Sequence, residues 1–144
     1  MEINDLSMMV GKTIVKASAA APGADVLLFL MSDGGAYAFH HEQDCCESVQ
    51  IVDVCGDMAD LIGSPLTQAE EVTSAGGDPK PDDWADSWTW TFYKFATVKG
   101  SVTIRWLGES NGYYGEGVDV EALAPGEAIP ASFLASAPLL LTAA

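Results

Sequence analysis

The chain is 144 residues long, enough for one domain with one core. Nearly half of it is hydrophobic, which excludes a disordered chain, and six basic against 21 acidic residues leave a formal charge of −15. That sign excludes direct nucleic-acid binding by phosphate neutralisation and favours solubility or a basic partner. Three cysteines, two of them adjacent, do not make a disulfide framework, since neighbouring cysteines bridge only under strain. No secretory leader opens the sequence and no apolar run is long enough for a bilayer, so a reducing cytoplasm without membrane contact is the expected setting.

Leu6 to Val10 predicts one short helical turn before Gly11, and Lys12 to Ser18 alternates as a strand. Val26 to Met31 is a continuous apolar run between turn residues, which predicts a strand buried on both faces. Ser32-Asp33-Gly34-Gly35 is a turn leading into a strand from Ala36 to His40, so the first part of the chain reads as a meander. Ser48 to Val54 is the next strand. Asp57 then caps a helix of barely two turns, stopped by Gly63 and Pro65. Leu66 to Thr73 follows as a strand with Glu70 and Glu71 at its centre. Ser74 to Asp86 is a solvated acidic loop, and its Trp84 either tucks back over the sheet as a plug, the leading expectation, or serves a partner surface.

From Ser87 to Asp119 the chain carries three of its four tryptophans and its single arginine. Lys99-Gly100 and Asn111-Gly112 read as two-residue hairpin turns, giving a three-stranded antiparallel meander. The first turn sets Val98 opposite Ser101, Phe95 opposite Ile104, Lys94 opposite Arg105 and Tyr93 opposite Trp106. The second sets Ser110 opposite Tyr113, Glu109 opposite Tyr114 and Leu107 opposite Glu116. Alternation then gives a core face of Tyr93, Phe95, Val102, Ile104, Trp106 and Tyr113. A second face carries Trp88, Trp90, Phe92, Lys94, Arg105, Leu107, Glu109, Tyr114 and Glu116. Like charges on facing positions repel, so the Lys94–Arg105 opposition calls for an anion held between them or for neutralisation by Glu109 and Glu116. With rings alongside for base stacking, the expected ligand is nucleotide-like.

His40-His41-Glu42-Gln43-Asp44-Cys45-Cys46-Glu47 gathers both histidines and two cysteines. Its spacing matches no zinc finger, and His40, His41, Cys45 and Cys46 are minor candidates as metal ligands. Cys45 with His41 as base is a conceivable nucleophile, without an evident orienting group. The leading expectation is a packed turn whose histidines and Asp44 satisfy backbone groups. With no phosphate-loop, dinucleotide, zincin or serine-elbow motif, no enzyme and no cofactor are expected. After Val120 the chain is rich in alanine and proline, with one helical turn from Ser132 to Ala137 and an apolar Leu139-Leu140-Leu141. The expected organisation is a mainly β domain over 1–123, an antiparallel meander sheet or partly open barrel with one or two short helices. An extension over 124–144 packs on the domain or on a second copy, and a homo-oligomer is expected.

Three blocks carry a family resemblance: FHHEQDCCESVQI at Phe39–Ile51, CGDMADLIGSPLTQAEEV at Cys55–Val72 and WTWTFYKFATVKGSVTIRWLGESNGYYGEGVD at Trp88–Asp119. They resemble short proteins of phages and prophages grouped as a domain of unknown function. The CCE and NGYY elements are also similar to the Thoeris anti-defence sponge proteins. That likeness implies a small oligomeric binder that sequesters a cyclic nucleotide signal without cleaving it, with Arg105, Asn111, Tyr113 and Tyr114 at matching positions. The expected function is a phage-type accessory protein that sequesters a nucleotide-like ligand through Trp88, Trp90, Phe92, Lys94, Arg105, Asn111, Tyr113 and Tyr114. The alternative is an acidic, nucleic-acid-mimicking inhibitor of a host defence protein.

Overall fold

The computed structural model describes residues 1–76, 84–112 and 115–142. Ten strands form two open antiparallel sheets. The strands are β1 (Glu2–Ile3), β2 (Ile14–Ala17), β3 (Val26–Met31), β4 (Ala36–His40), β5 (Ser48–Cys55), β6 (Gln68–Ala75), β7 (Ser87–Thr97), β8 (Gly100–Ser110), β9 (Asp119–Leu123) and β10 (Leu141–Thr142). One sheet runs β1-β9-β4-β3-β2-β10 and the other β5-β8-β7-β6. The helical content is two 3-10 turns, Leu6–Met9 and Met58–Leu61, and one short helix, α1 (Ala131–Ser136).

Local chemistry accounts for these elements. Asp5 and Asp57 accept the amides of Ser7 and Ala59 at 2.9 Å, capping the two 3-10 turns. β3 is apolar throughout because both its faces are covered. One side joins the core between the sheets, while Val26 and Leu28 pack with Ala38 and Ala137 beneath α1. β2, β3 and β4 form the expected meander. The apolar tail packs on its own domain: Leu141 pairs with Ala17, and Leu139 joins the cluster under α1.

The sheets meet through rings. Phe29 of β3 lies edge-on to Phe95 of β7 at 5.3 Å, and Phe39 of β4 edge-on to Tyr93 of β7 at 5.0 Å. Such contacts add about 0.5–1.5 kcal/mol each beyond burial. Tyr93, Phe95, Val102, Ile104 and Trp106 are all buried here, as their alternation predicts.

Three expectations are corrected. The hairpin between β7 and β8 pairs Thr97 with Gly100, Phe95 with Val102, Tyr93 with Ile104 and Phe92 with Arg105. The register differs by two residues from the one expected, so Lys94 faces Thr103 and Glu70 rather than Arg105. Gly100 is a strand residue whose lack of a side chain makes room for Asp60: a Cβ there would lie 2.7 Å from its carboxylate. Among the described residues, no third strand pairs with β8 after Asn111-Gly112. Leu107 lies between Gln50 and Trp90, so β5 occupies the edge where a third meander strand was expected. β9 instead crosses to the other sheet, between β1 and β4. Finally, Trp84 is 51% exposed and Ala85 is the buried residue beside it, so Trp84 is not a plug.

Candidate functional site

The outer face of the four-stranded sheet is set by its pairing. Asp53, Arg105, Phe92 and Val72 form one cross-strand row, and Gln50, Leu107, Trp90 and Ser74 form the next. A third row holds Cys55, Thr103, Lys94 and Glu70. This face therefore brings together Trp90, Phe92 and Arg105, with Trp88 and Lys94 one row away on either side.

Arg105 is already engaged. Its Nε and Nη2 donate to the two oxygens of Asp53 at 3.1 and 2.6 Å, a two-point contact matched to the guanidinium fork. The guanidinium also lies over the Trp90 ring, 4.7 Å from its centre. Trp90 is buried, Phe92 and Trp88 are half-buried and Lys94 is exposed. Arg105 is thus matched by Asp53, and Lys94 has Glu70 at the facing position on β6; the sequence pointed to neither acid as the partner. Asn111 sits exposed at the turn after β8. Tyr113 and Tyr114 lie outside the described residues.

Glu116 is not on the outer face. It folds over the core side of the sheet's end, where Thr89 Oγ1 and Ser110 Oγ donate to its carboxylate at 2.9 and 2.5 Å. Gly108 permits this: a Cβ there would stand 2.1 Å from the Glu116 carbonyl oxygen. An isolated glycine inside an aromatic-rich strand was the available signal for a close backbone approach.

The histidine–cysteine segment is a compact turn organised by Glu47. The Glu47 carboxylate accepts the amides of Asp44 and Cys45 at 3.0 and 2.9 Å, and Gln43 Nε2 donates to the carbonyls of Cys45 and Glu47. Burial opposes ionisation of Glu47, but those amides and His41 together hold its carboxyl below the usual carboxylate range. His41 Nδ1 meets the Gly117 carbonyl at 2.8 Å and its Nε2 lies 3.5 Å from Glu47. A histidine does satisfy a backbone group here, as expected, but Glu47 rather than Asp44 holds the turn.

The four minor metal candidates do not converge. His40 packs against Phe133 in a tilted contact and lies 3.7 Å from Glu121, whereas His41 lies against Glu47. The sulfurs of Cys45 and Cys46 lie against each other within this turn. Among the described residues, no three His, Cys, Asp or Glu side chains are grouped to hold a metal ion.

Cavities indent the other sheet among the described residues. One, of about 220 Å³, is bordered by Glu2, His40, Glu42, Asp119 and Glu121. The second, of about 290 Å³, lies at the end of the sheet beside Lys12 and Tyr37. Nothing in the sequence pattern marks Lys12 or Tyr37, which the β2–β3–β4 meander brings together.

A family model, Domain of unknown function (DUF7448), matches residues 7–120. Comparison with curated proteins and with solved structures found no match.

Proposed function

The chain belongs to this family of unknown function, and we propose that it works without catalysis, as an acidic binding protein that covers the basic surface of a nucleic-acid-binding partner. The observation that carries this reading is the edge strand β6. Among the described residues β6 pairs with β7 alone, whereas the outer side of β5 exchanges hydrogen bonds with Gly23 and Ala24. Residues from Glu70 to Gly76 are exposed, including Glu70, Glu71 and Val72. An open edge offers a row of backbone donors and acceptors, and here it carries carboxylates on a protein of charge −15. A basic extended segment suits it in both hydrogen bonding and charge.

The likeness of the three sequence blocks to phage and prophage proteins supplies the setting: an accessory protein that blocks a host defence protein at its nucleic-acid-binding surface. Sequestration of a nucleotide-like ligand fits the outer face less well. Such a ligand would have to displace Asp53 from Arg105, and Lys94 does not stand opposite to assist.

The test is an affinity capture from nuclease-treated host extract on the immobilised protein, beside its Glu70→Lys/Glu71→Lys variant. Specific retention of a basic nucleic-acid-binding protein is expected, released by competing DNA and lost with the charge reversal. Retention that survives both the reversal and about 0.5 M salt, where exposed charges are largely screened, would overturn the reading.

A further inference from the structure

We infer that the cavity of about 290 Å³ beside Lys12 is a binding site for a small carboxylate with an apolar body. The site goes beyond the acidic-edge reading and uses no residue of β6. It lies where the first 3-10 turn, the turn between β3 and β4, and the segment following β9 come together. Its volume is close to the lower end, about 300 Å³, of pockets that hold small ligands.

The walls are mostly apolar, formed by Met8, Ala36, Leu123 and Pro125 among others. Gly35 allows the end of β9 to close in: a Cβ there would lie 2.9 Å from the Leu123 carbonyl oxygen. Against these walls one cationic side chain is held in place. Lys12 Nζ donates to Tyr37 Oη at 3.1 Å and stands 3.8 Å from Asp33 Oδ2. Tyr37 is itself buried, so its hydroxyl is a fixed anchor. The hydrogen bond from Lys12 to Tyr37, with Asp33 adding to it, holds the Lys12 pKa above its ordinary value, so the ammonium stays charged.

Both carboxylates at the rim are tied to backbone amides, and of the two only Asp33, through Oδ2, also faces the ammonium. Asp33 Oδ1 accepts the Gly35 amide at 2.8 Å within its own turn, and Glu127 Oε1 accepts the Ala124 amide at 3.1 Å within the next. An ammonium has three donors. One is used on Tyr37 and the contact to Asp33 is long, so Lys12 retains capacity for an incoming oxygen. An anionic head on Lys12 with a hydrocarbon body along the apolar walls satisfies both halves of the cavity.

Octanoate is the probe, with octanol and octylamine as matched controls of neutral and positive head. Binding is followed by amide chemical shifts, on the full chain and on the variants Lys12→Met and Ala124→Phe. Octanoate is expected to shift the amides of Ala36 and Leu123 saturably and to bind more tightly than either control. Lys12→Met should weaken octanoate about tenfold, the loss of one charge-assisted contact, while leaving octanol unchanged. Ala124→Phe, at an exposed position on the rim, should weaken octanoate without altering the melting temperature. No saturable shift with octanoate, tighter binding of octylamine, or equal octanoate affinity in Lys12→Met would each overturn the assignment.

Discussion

Replacing Gly108 by alanine tests how the end of the β7–β8 hairpin is closed. The added methyl carbon would fall 2.1 Å from the Glu116 carbonyl oxygen and 2.9 Å from its carbonyl carbon, both backbone atoms that no rotamer change can move. The segment must lift, and lifting draws the Glu116 carboxylate away from Thr89 and Ser110. Hydrogen bonds to a charged group contribute about 1.5–3 kcal/mol each. Two are lost, and rehydration of the released carboxylate returns part of that, leaving a net cost of about 3 kcal/mol. With a urea slope of about 2 kcal/mol per molar, the midpoint should fall by about 1.5 M, followed by tryptophan fluorescence. Glu116→Ala removes the same pair of bonds by deletion and should cost a similar amount. Because both substitutions break one contact, the double variant should be scarcely less stable than Gly108→Ala alone. An unchanged midpoint in Gly108→Ala, or fully additive losses in the double variant, would refute this account.

Other consequences are open to direct measurement. Phe95→Ala should cost about 3–5 kcal/mol by opening the ring cluster between the sheets, whereas Trp84→Ala should change stability by less than about 0.5 kcal/mol, since Trp84 is half exposed; equal effects in urea unfolding would contradict the placement of either ring. A double-mutant cycle on Arg105→Met and Asp53→Asn should return a coupling of about 0.5–1 kcal/mol, as for a partly exposed ion pair; zero coupling would show the contact to be idle. The lowered Glu47 pKa gives stability that is complete above the unfolded glutamate value of about 4.3 and is lost as pH falls through the lower folded value. Glu47→Gln should therefore flatten the acid limb of a stability-versus-pH curve, and an identical limb in both proteins would sink the assignment.

Much of the fold was legible in the sequence because its signals are local. Apolar alternation places the strands, Asp5 and Asp57 cap their turns, and the period of two separates Tyr93 and Phe95 from Phe92 and Lys94. The register between β7 and β8 was not legible. A glycine inside a strand beside Asp60 looks the same, in one dimension, as a glycine that turns the chain. A shift of two residues preserves which face each side chain takes but changes every partner, so the two faces held while the Lys94–Arg105 opposition dissolved. The candidate site was harder still. Asp53 meets Arg105 only through β5 and β8, strands far apart in the chain, and Lys12 meets Tyr37 only across the width of β3; no periodicity encodes either meeting.

The crossing of β9 makes the larger sheet depend on a long-range pairing. β2, β3 and β4 are neighbours in the chain and can assemble by short reversals. β9, which lies between β4 and β1, is supplied from a distant part of the sequence and matches Phe39 with Val120 and Ile3 with Val120. Until it arrives, the outer edge of β4 is an unpaired apolar strand and β1 has nothing to join. Closing so long a loop carries an entropy cost that local pairing does not. Completing the larger sheet therefore carries a loop-closure cost that the β2–β3–β4 reversals do not.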